Sequence, residues 1–217
     1  AWGMTEMSPL GTSNSSGARR HQYDAETFAN MRTNVGQPIF GVEVKITDDD
    51  NKELPWDGVA FGALKVRGPW ICSSYFKLDG SSAHEDEDWF ETGDVASIDS
   101  RGNVSITDRT KDVIKSGGEW ISSIEVENCA TGHPMVAEAA VIGRNHPKWG
   151  ERPLLVVVKN GEGDVTPDEL KTFLVGKIAK WWIPDDVQYI EEMPHTATGK
   201  IQKMKLREMF NDYQFPA

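Results

Sequence analysis

Little cysteine, no excess of positive charge and no long apolar run set the first limits on this sequence. Cys72 and Cys129 are the only 2 cysteines, far apart and outside any CxxC spacing, which argues against a disulfide framework and a zinc site. A reducing, cytoplasmic setting fits that usage. The 5 histidines show no metal-ligand spacing. Lys and Arg number 23 against 34 Asp and Glu, a net charge of -11, so a nucleic-acid or anionic-membrane surface is not expected. The acidic runs Asp48 to Asp50 and Glu85 to Asp88 read as solvated loop faces. No apolar stretch is long enough to span a bilayer or to act as a secretory signal. The chain opens on Ala1 rather than Met, inside a motif, and a fragment is the expectation. At 217 residues, one large or two unequal folding units are expected.

What is present changes character along the chain. After Ala1 to Pro9, the Ser/Gly/Asn-rich stretch Gly11 to Gly17 lacks apolar periodicity and reads as a mobile surface loop. It lacks the GxxxxGK[ST] order of a phosphate cradle. Val-Glu-Val-Lys-Ile at 42 to 46 alternates apolar and polar side chains and runs into Asp48 to Asn51, a strand and a turn. Further strands are expected at Ala63 to Pro69, Asp94 to Asp99 and Asn103 to Asp108, the last two joined by the Ser100, Arg101, Gly102 turn. The first half is therefore mostly antiparallel β.

Thr107 to Asn128 marks the change. Charges at Asp108, Arg109, Lys111 and Asp112 suit a solvated connector better than a packed strand, and a plain charged turn fits equally well. Ser116, Gly117 and Gly118 follow, the two glycines permitting positive φ and leaving bare backbone. Ser122 and Glu125 have capping-box spacing, which starts a helix over about 123 to 131. Beyond it, strands are expected at Ala137 to Gly143, Pro153 to Lys159 and Asp186 to Pro194. Thr166, Pro167 and Glu169 start a helix whose apolar face is Leu170, Phe173, Leu174 and Ile178, expected to run to just before Pro184. Trp181 and Trp182 are expected at the core edge, and a basic helix near Lys203 to Asn211 closes the chain. The sum is an α+β chain: a mostly antiparallel β subdomain over 1 to 110, then a small mixed α/β domain over 111 to 217.

Four segments carry small or charged residues that folding alone gives little reason for: WGMTE at 2 to 6, TGD at 92 to 94, DRTKD at 108 to 112 and TATGK at 196 to 200. In this order, with KSGGEWISSIEVEN and HPKWGERP, they resemble the adenylate-forming acyl-CoA synthetase superfamily across nearly the whole chain. The likeness is greatest to bacterial medium-chain fatty acyl-CoA and methylthiopropionate-CoA ligases. It implies that a carboxylate attacks the α-phosphate of Mg-ATP to give an acyl-adenylate, from which the thiol of coenzyme A then displaces AMP.

Residue by residue, the resemblance implies that Thr5 bonds the adenylate phosphate and that Glu6 holds Mg²⁺, a hard cation suited to carboxylate oxygens. Asp94 would accept both ribose hydroxyls, with Arg109 donating nearby. Lys200 would offset charge on the α-phosphorus. Lys111 would be the hinge that swaps Lys200 for Gly117 and Gly118, along which the pantetheine arm of CoA passes. Trp2 and Gly3 would line the nucleotide and acyl site. Trp149 is a candidate platform for the CoA adenine or a half-buried turn tryptophan. Lys200, Lys203, Lys205 and Arg207 read as a CoA-phosphate patch or a solvated helix face. Relatives dimerise in many cases, so a homodimer is an expectation without an identifiable contact surface.

The superfamily's Ser/Thr/Gly-rich phosphate loop and most of its acid pocket lie upstream of WGMTE, so these residues are not expected to adenylate alone. A carrier-protein-loading adenylation domain and a non-catalytic nucleotide- or CoA-binding module are the competing readings. The upstream reading frame separates them.

Overall fold

In a computed structural model, which describes residues 1–14, 21–77, 84, 88–161 and 163–216, the alternating first half forms two antiparallel sheets. Three of the acidic residues at 85–87 lie outside the described residues, as does 15–17 of the Ser/Gly/Asn stretch. The chain divides into two compact units, Ala1–Thr110 and Lys111–Ala217.

In the first unit, β1 (Trp2–Gly3), β2 (Leu10–Ser13) and β3 (Gln37–Pro38) form one sheet, with α1 (Ala25–Met31) between the last two in sequence. The second sheet runs in chain order: β4 (Glu43–Thr47), β5 (Phe61–Arg67), β6 (Phe90–Ile98) and β7 (Val104–Arg109). Val44, Ile46, Leu64, Val66, Ala96, Ile98 and Val104 join Met7 in one core. Leu64→Ala there should cost roughly 2–5 kcal/mol through lost burial and the cavity left behind.

Two expectations fail in this unit. Residues 11–13 form a strand rather than a surface loop. The composition hid it because its small residues are there for packing: a Cβ on Gly11 would meet Met7 Sδ and the Trp2 ring at 2.7 Å each. Thr12 is buried, its hydroxyl donating to Val35 O at 2.8 Å. Arg109 is likewise strand, not connector, because the strand expected to end at Asp108 keeps its pairing with β6 through Val95↔Asp108 to Asp94↔Arg109. Asp108 is buried there.

The second unit is a mixed five-stranded sheet of β8 (Ile114–Ser116), β9 (Glu119–Ile121), β10 (Val136–His146), β11 (Gly150–Lys159) and β12 (Asp186–Tyr189). Its axis is β11, antiparallel to β10 over its whole length, antiparallel to β8 at Gly150↔Ser116 and parallel to β12 from Leu154↔Asp186 to Val157↔Tyr189. The unbroken apolar runs of β10 and β11 follow from cover on both faces. Val141, Leu155 and Val157 pack with α2 (Ser123–Thr131) and α3 (Pro167–Leu174). Ala140, Ile142, Leu154 and Val156 pack with Met193 and with Leu206 of α4 (Lys203–Met209).

The caps act as their sequences imply. Ser122 Oγ accepts from Glu125 N at 3.2 Å, and Thr166 and Glu169 form a reciprocal capping box. α3 nevertheless stops at Leu174, short of the expected end. Val175 is extended and Gly176 takes φ 78°, so the chain leaves the helix and re-forms a 3-10 turn over Lys180–Trp182. Ile178, Trp181 and Trp182 still reach the core, by that other route. Among the described residues no helix is long and apolar enough to cross a membrane.

Candidate active-site residues

In the first unit the WGMTE and TGD segments meet at one carboxylate. Asp94 is 4% exposed. Trp2 Nε1 donates to its Oδ2 at 2.8 Å, and Arg109 Nε lies 2.9 Å from Oδ1. β6 is locked on either side of it. Thr92 Oγ1 donates to Leu64 O at 2.9 Å and accepts from Asp94 N at 3.1 Å. Gly93 takes φ 72°, its carbonyl accepting from Thr110 N at 2.9 Å. A carboxylate offers about four acceptor sites, so two donors fix its plane and leave capacity for a diol. The role of Trp2 as a donor to Asp94 has no signal in the sequence, since nothing local links residues so far apart.

The same N-terminal segment positions Thr5 and Glu6. Gly3 is required where it is, because a Cβ would meet Pro9 O at 2.0 Å. Thr5–Met7 then forms a 3-10 turn with Thr5 exposed and Met7 in the core. Tyr75 Oη donates to Glu6 Oε1 at 2.9 Å, and Cys72 N donates to Glu6 O at 2.8 Å. Burial pushes the Tyr75 phenol up, and its hydrogen bond to the Glu6 carboxylate pushes it further. The Cys72 thiol is raised by burial and then by Glu6. Tyr75 was not foreseen as a partner of Glu6.

In the second unit Gly117 and Gly118 are the central residues of the two-residue turn joining β8 to β9, with φ 60° and 87°. Positive φ at both is the hairpin geometry that selects glycine. A Cβ on Gly117 would meet Trp149 Cε3 at 3.0 Å, whereas Gly118 faces open space. Gly117 N donates to Trp149 O at 2.8 Å. Trp149 is half-buried, edge-on to Trp181 at 4.9 Å between ring centroids, with Lys148 Nζ 4.4 Å from its ring centre. It therefore packs the turn, and only part of its ring is free to stack on anything else. Arg152, nearly buried, braces the same corner: it donates to Ser116 Oγ at 3.3 Å, to Trp181 O at 3.0 Å and twice to Asp185 Oδ1.

Lys200 sits on an exposed loop closed at its base by a His195↔Ile201 bridge. Thr196 N donates to Lys200 O at 2.8 Å, Lys200 N to Thr196 Oγ1 at 3.1 Å, and Gly199 turns the tip with φ 79°. His195 Nε2 lies 2.8 Å from Glu138 Oε2, and Glu138 is paired with Val158. The glycine turn is tied to Gly150, at the other end of the same strand. Eight residues of antiparallel strand separate those anchor points, about 27 Å at roughly 3.4 Å per residue. The two loops thus project from opposite ends of β11. Lys203 and Arg207 are neither a free patch nor a solvated face. Lys203 Nζ lies 2.7 Å from Glu127 Oε1, and Arg207 Nη2 2.8 Å from Asp112 Oδ1.

Two family descriptions match in tandem: "AMP-binding enzyme" over residues 1–76 and "AMP-binding enzyme C-terminal domain" over residues 125–200. The chain belongs to the AMP-binding, adenylate-forming enzymes. It is 54% identical to the 3-methylmercaptopropionyl-CoA ligase of Ruegeria lacuscaerulensis over 98% of its own length and 39% of the relative's. It is 47% identical to the medium-chain-fatty-acid–CoA ligase of Ectopseudomonas oleovorans, with the same coverages of 98% and 39%. Its fold is similar to that of ATP-bound MatB from Rhodopseudomonas palustris, at a TM-score of 0.72 and 33% identity over 83% of this chain and 36% of that one. The chain therefore spans about 39% of the length of the curated relatives it matches.

The residues present fit Mg²⁺ in the manner in which that ion binds nucleotides. Among the described residues there is no group of three or more His, Cys, Asp or Glu able to hold a metal. Mg²⁺ with ATP needs no such cage, since one carboxylate plus substrate phosphates and water suffice. Glu6 offers that hard oxygen donor, its other oxygen oriented by Tyr75.

Proposed function

We propose that this chain is the C-terminal part of an ATP-dependent acyl-CoA synthetase acting on a short- or medium-chain carboxylic acid, with residues 1–110 the last subdomain of its large domain and 111–217 its mobile small domain. The observation that carries this reading is the placement of Lys200 and the Gly117, Gly118 turn at opposite ends of β11. One loop is a cation on a tight support and the other is bare backbone. A reaction that needs both at one site needs them in succession, and Lys111 is the joint about which the small domain turns.

In the first step a carboxylate oxygen of the acid bonds to the α-phosphorus of ATP and the bond to diphosphate breaks. Asp94, its plane fixed by Trp2 and Arg109, accepts the ribose hydroxyls and so fixes the nucleotide. Thr5 donates to an α-phosphate oxygen. Glu6 would hold Mg²⁺, which supplies charge neutralisation on the phosphates. Lys200 stabilises the negative charge gathering on the phosphorus oxygens. In the second step the CoA sulfur bonds to the acyl carbon, AMP leaves with the electrons of the acyl–oxygen bond, and the thiol proton goes to solvent. Gly118, with open space where a Cβ would be, lets the pantetheine arm lie along the backbone. Trp149 contributes its free ring surface to the adenine of CoA.

The test is Lys200→Ala in the complete enzyme. Diphosphate exchange should fall by roughly 10²- to 10³-fold, the loss typical of one preorganised charge. Thioester formation from supplied acyl-adenylate should persist. Equal loss in both half-reactions would remove Lys200 from the adenylating role. A panel of short, medium and sulfur-containing acids in the same exchange assay identifies the substrate.

A further inference from the structure

The loop bearing Lys200 runs directly into α4, and α4 is fixed to the rest of the second unit at three places. At its first residue, Lys203 Nζ donates to Ser123 Oγ at 2.6 Å and lies 2.7 Å from Glu127 Oε1. Glu127 Oε1 also accepts from Val141 N at 2.7 Å, which covers the open edge of β10. Past its last residue, Arg144 Nη2 donates to Asn211 O at 2.6 Å. One turn on from Lys203, Arg207 Nη2 donates to Lys111 O at 3.1 Å and to Asp112 Oδ1 at 2.8 Å. The Asp112 and Arg207 side chains are 13% and 30% exposed, so solvent screens this pair only in part.

Those last two bonds fall on either side of one peptide link. The peptide is planar, so holding the Lys111 carbonyl oxygen and the Asp112 carboxylate together fixes the whole Lys111–Asp112 plane against α4. Turning the chain about the φ of Asp112 would carry one of these groups off Arg207, and turning it about the ψ of Asp112 would carry off both. Turning it about the φ or ψ of Lys111 moves what precedes and leaves both bonds intact. We infer that Arg207 is a positioning residue that sets the pivot: it makes the Lys111–Asp112 peptide part of the rigid small domain and leaves the two soft torsions of Lys111 as the axis. α4, about 10 Å long at 1.5 Å per residue, then acts as a strut from that axis to the Lys200 loop. The inference rests on the hinge reading of Lys111 given above.

The experiment compares both half-reactions of the complete enzyme in Lys111→Pro, Arg207→Ala and the double variant, each with its thermal unfolding midpoint. Proline fixes φ at residue 111 and restrains residue 110, so Lys111→Pro should block one half-reaction by roughly 100-fold or more and spare the other. With Arg207→Ala added, the torsions of Asp112 become available and the blocked half-reaction should recover by about tenfold or more. A residue that only stabilised the fold would lower both half-reactions together and relieve nothing. A block that persists unrelieved in the folded double variant overturns the pivot role of Arg207. Lys111→Pro that slows neither half-reaction overturns the hinge reading itself. If Arg207→Ala does not fold, Arg207→Lys serves in its place, since the shorter lysine retains at most one of the two bonds. Relief or its absence then decides in the same way.

Discussion

Trp2 and Asp94 are 92 residues apart in sequence, yet an indole N–H reaches the carboxylate at 2.8 Å. Burying an ionised carboxylate is unfavourable by several kcal/mol unless donors replace the water it loses. Here one donor is Trp2, half-buried, and the other is Arg109, whose side chain is 54% exposed. The indole is thus the fixed donor and the guanidinium the adjustable one. Trp2→Phe keeps the ring against Gly11 and removes only the N–H, leaving Oδ2 short of a donor. A lost hydrogen bond to a charged group is typically worth about 1.5–3 kcal/mol, so under the proposed function the complete enzyme's KM for ATP should rise by roughly 10- to 100-fold. The KM for the acid, measured at saturating ATP, should move much less. Comparable changes in both would mean that Trp2 serves the acid pocket instead of Asp94.

At the scale of elements, periodicity and caps carried most of the information. The strands β4, β5 and β7 were legible from their apolar patterns, β6 only from Asp94 onward, and α3 from Thr166, Pro167 and Glu169, because those signals are local. β2 was not, since Gly11 and Thr12 answer to a ring and a carbonyl supplied from elsewhere in the chain. The end of α3 was misread for a related reason: Ile178 keeps the right spacing, but Gly176 redirects the backbone before it. The candidate motifs stood out one by one, while the contacts that Trp2, Tyr75, Arg152 and Arg207 make arise from long-range packing. The glycine turn separates the local from the functional cleanly. Both glycines take positive φ, so alanine at either strains the turn by roughly 1 kcal/mol. Only Gly117 also meets a neighbour, Trp149 at 3.0 Å. Structure alone therefore makes Gly117→Ala the more disruptive change. If the pantetheine arm uses Gly118, Gly118→Ala should slow thioester formation from supplied acyl-adenylate by about tenfold or more while diphosphate exchange stays within about twofold. A Gly118→Ala enzyme with undiminished thioester formation would remove that residue from the path of CoA.

For the whole molecule the decisive property is that the second unit covers both faces of its sheet from within. Val141, Leu155 and Val157 meet Leu170 and Leu174 on one side, and Ala140, Ile142, Leu154 and Val156 meet Met193 and Leu206 on the other. Its buried charges are also answered internally, Arg152 by Asp185 and Lys203 by Glu127. A body with two filled faces and paired charges has what independent folding requires. Its stability would then persist in every orientation that the proposed joint at Lys111 allows. Residues 111–217 expressed alone should accordingly unfold in one cooperative transition with near-ultraviolet dichroism from Trp149, Trp181 and Trp182. Leu155→Ala in that piece should lower its stability by roughly 2–5 kcal/mol, the cost of a cavity in a close-packed core. A broad, non-cooperative melt with strong binding of a hydrophobic dye would instead mean that the small unit depends on the rest of the enzyme for its core. A rigid swing about one lysine would then be untenable, because the moving body would not hold its shape while it turned.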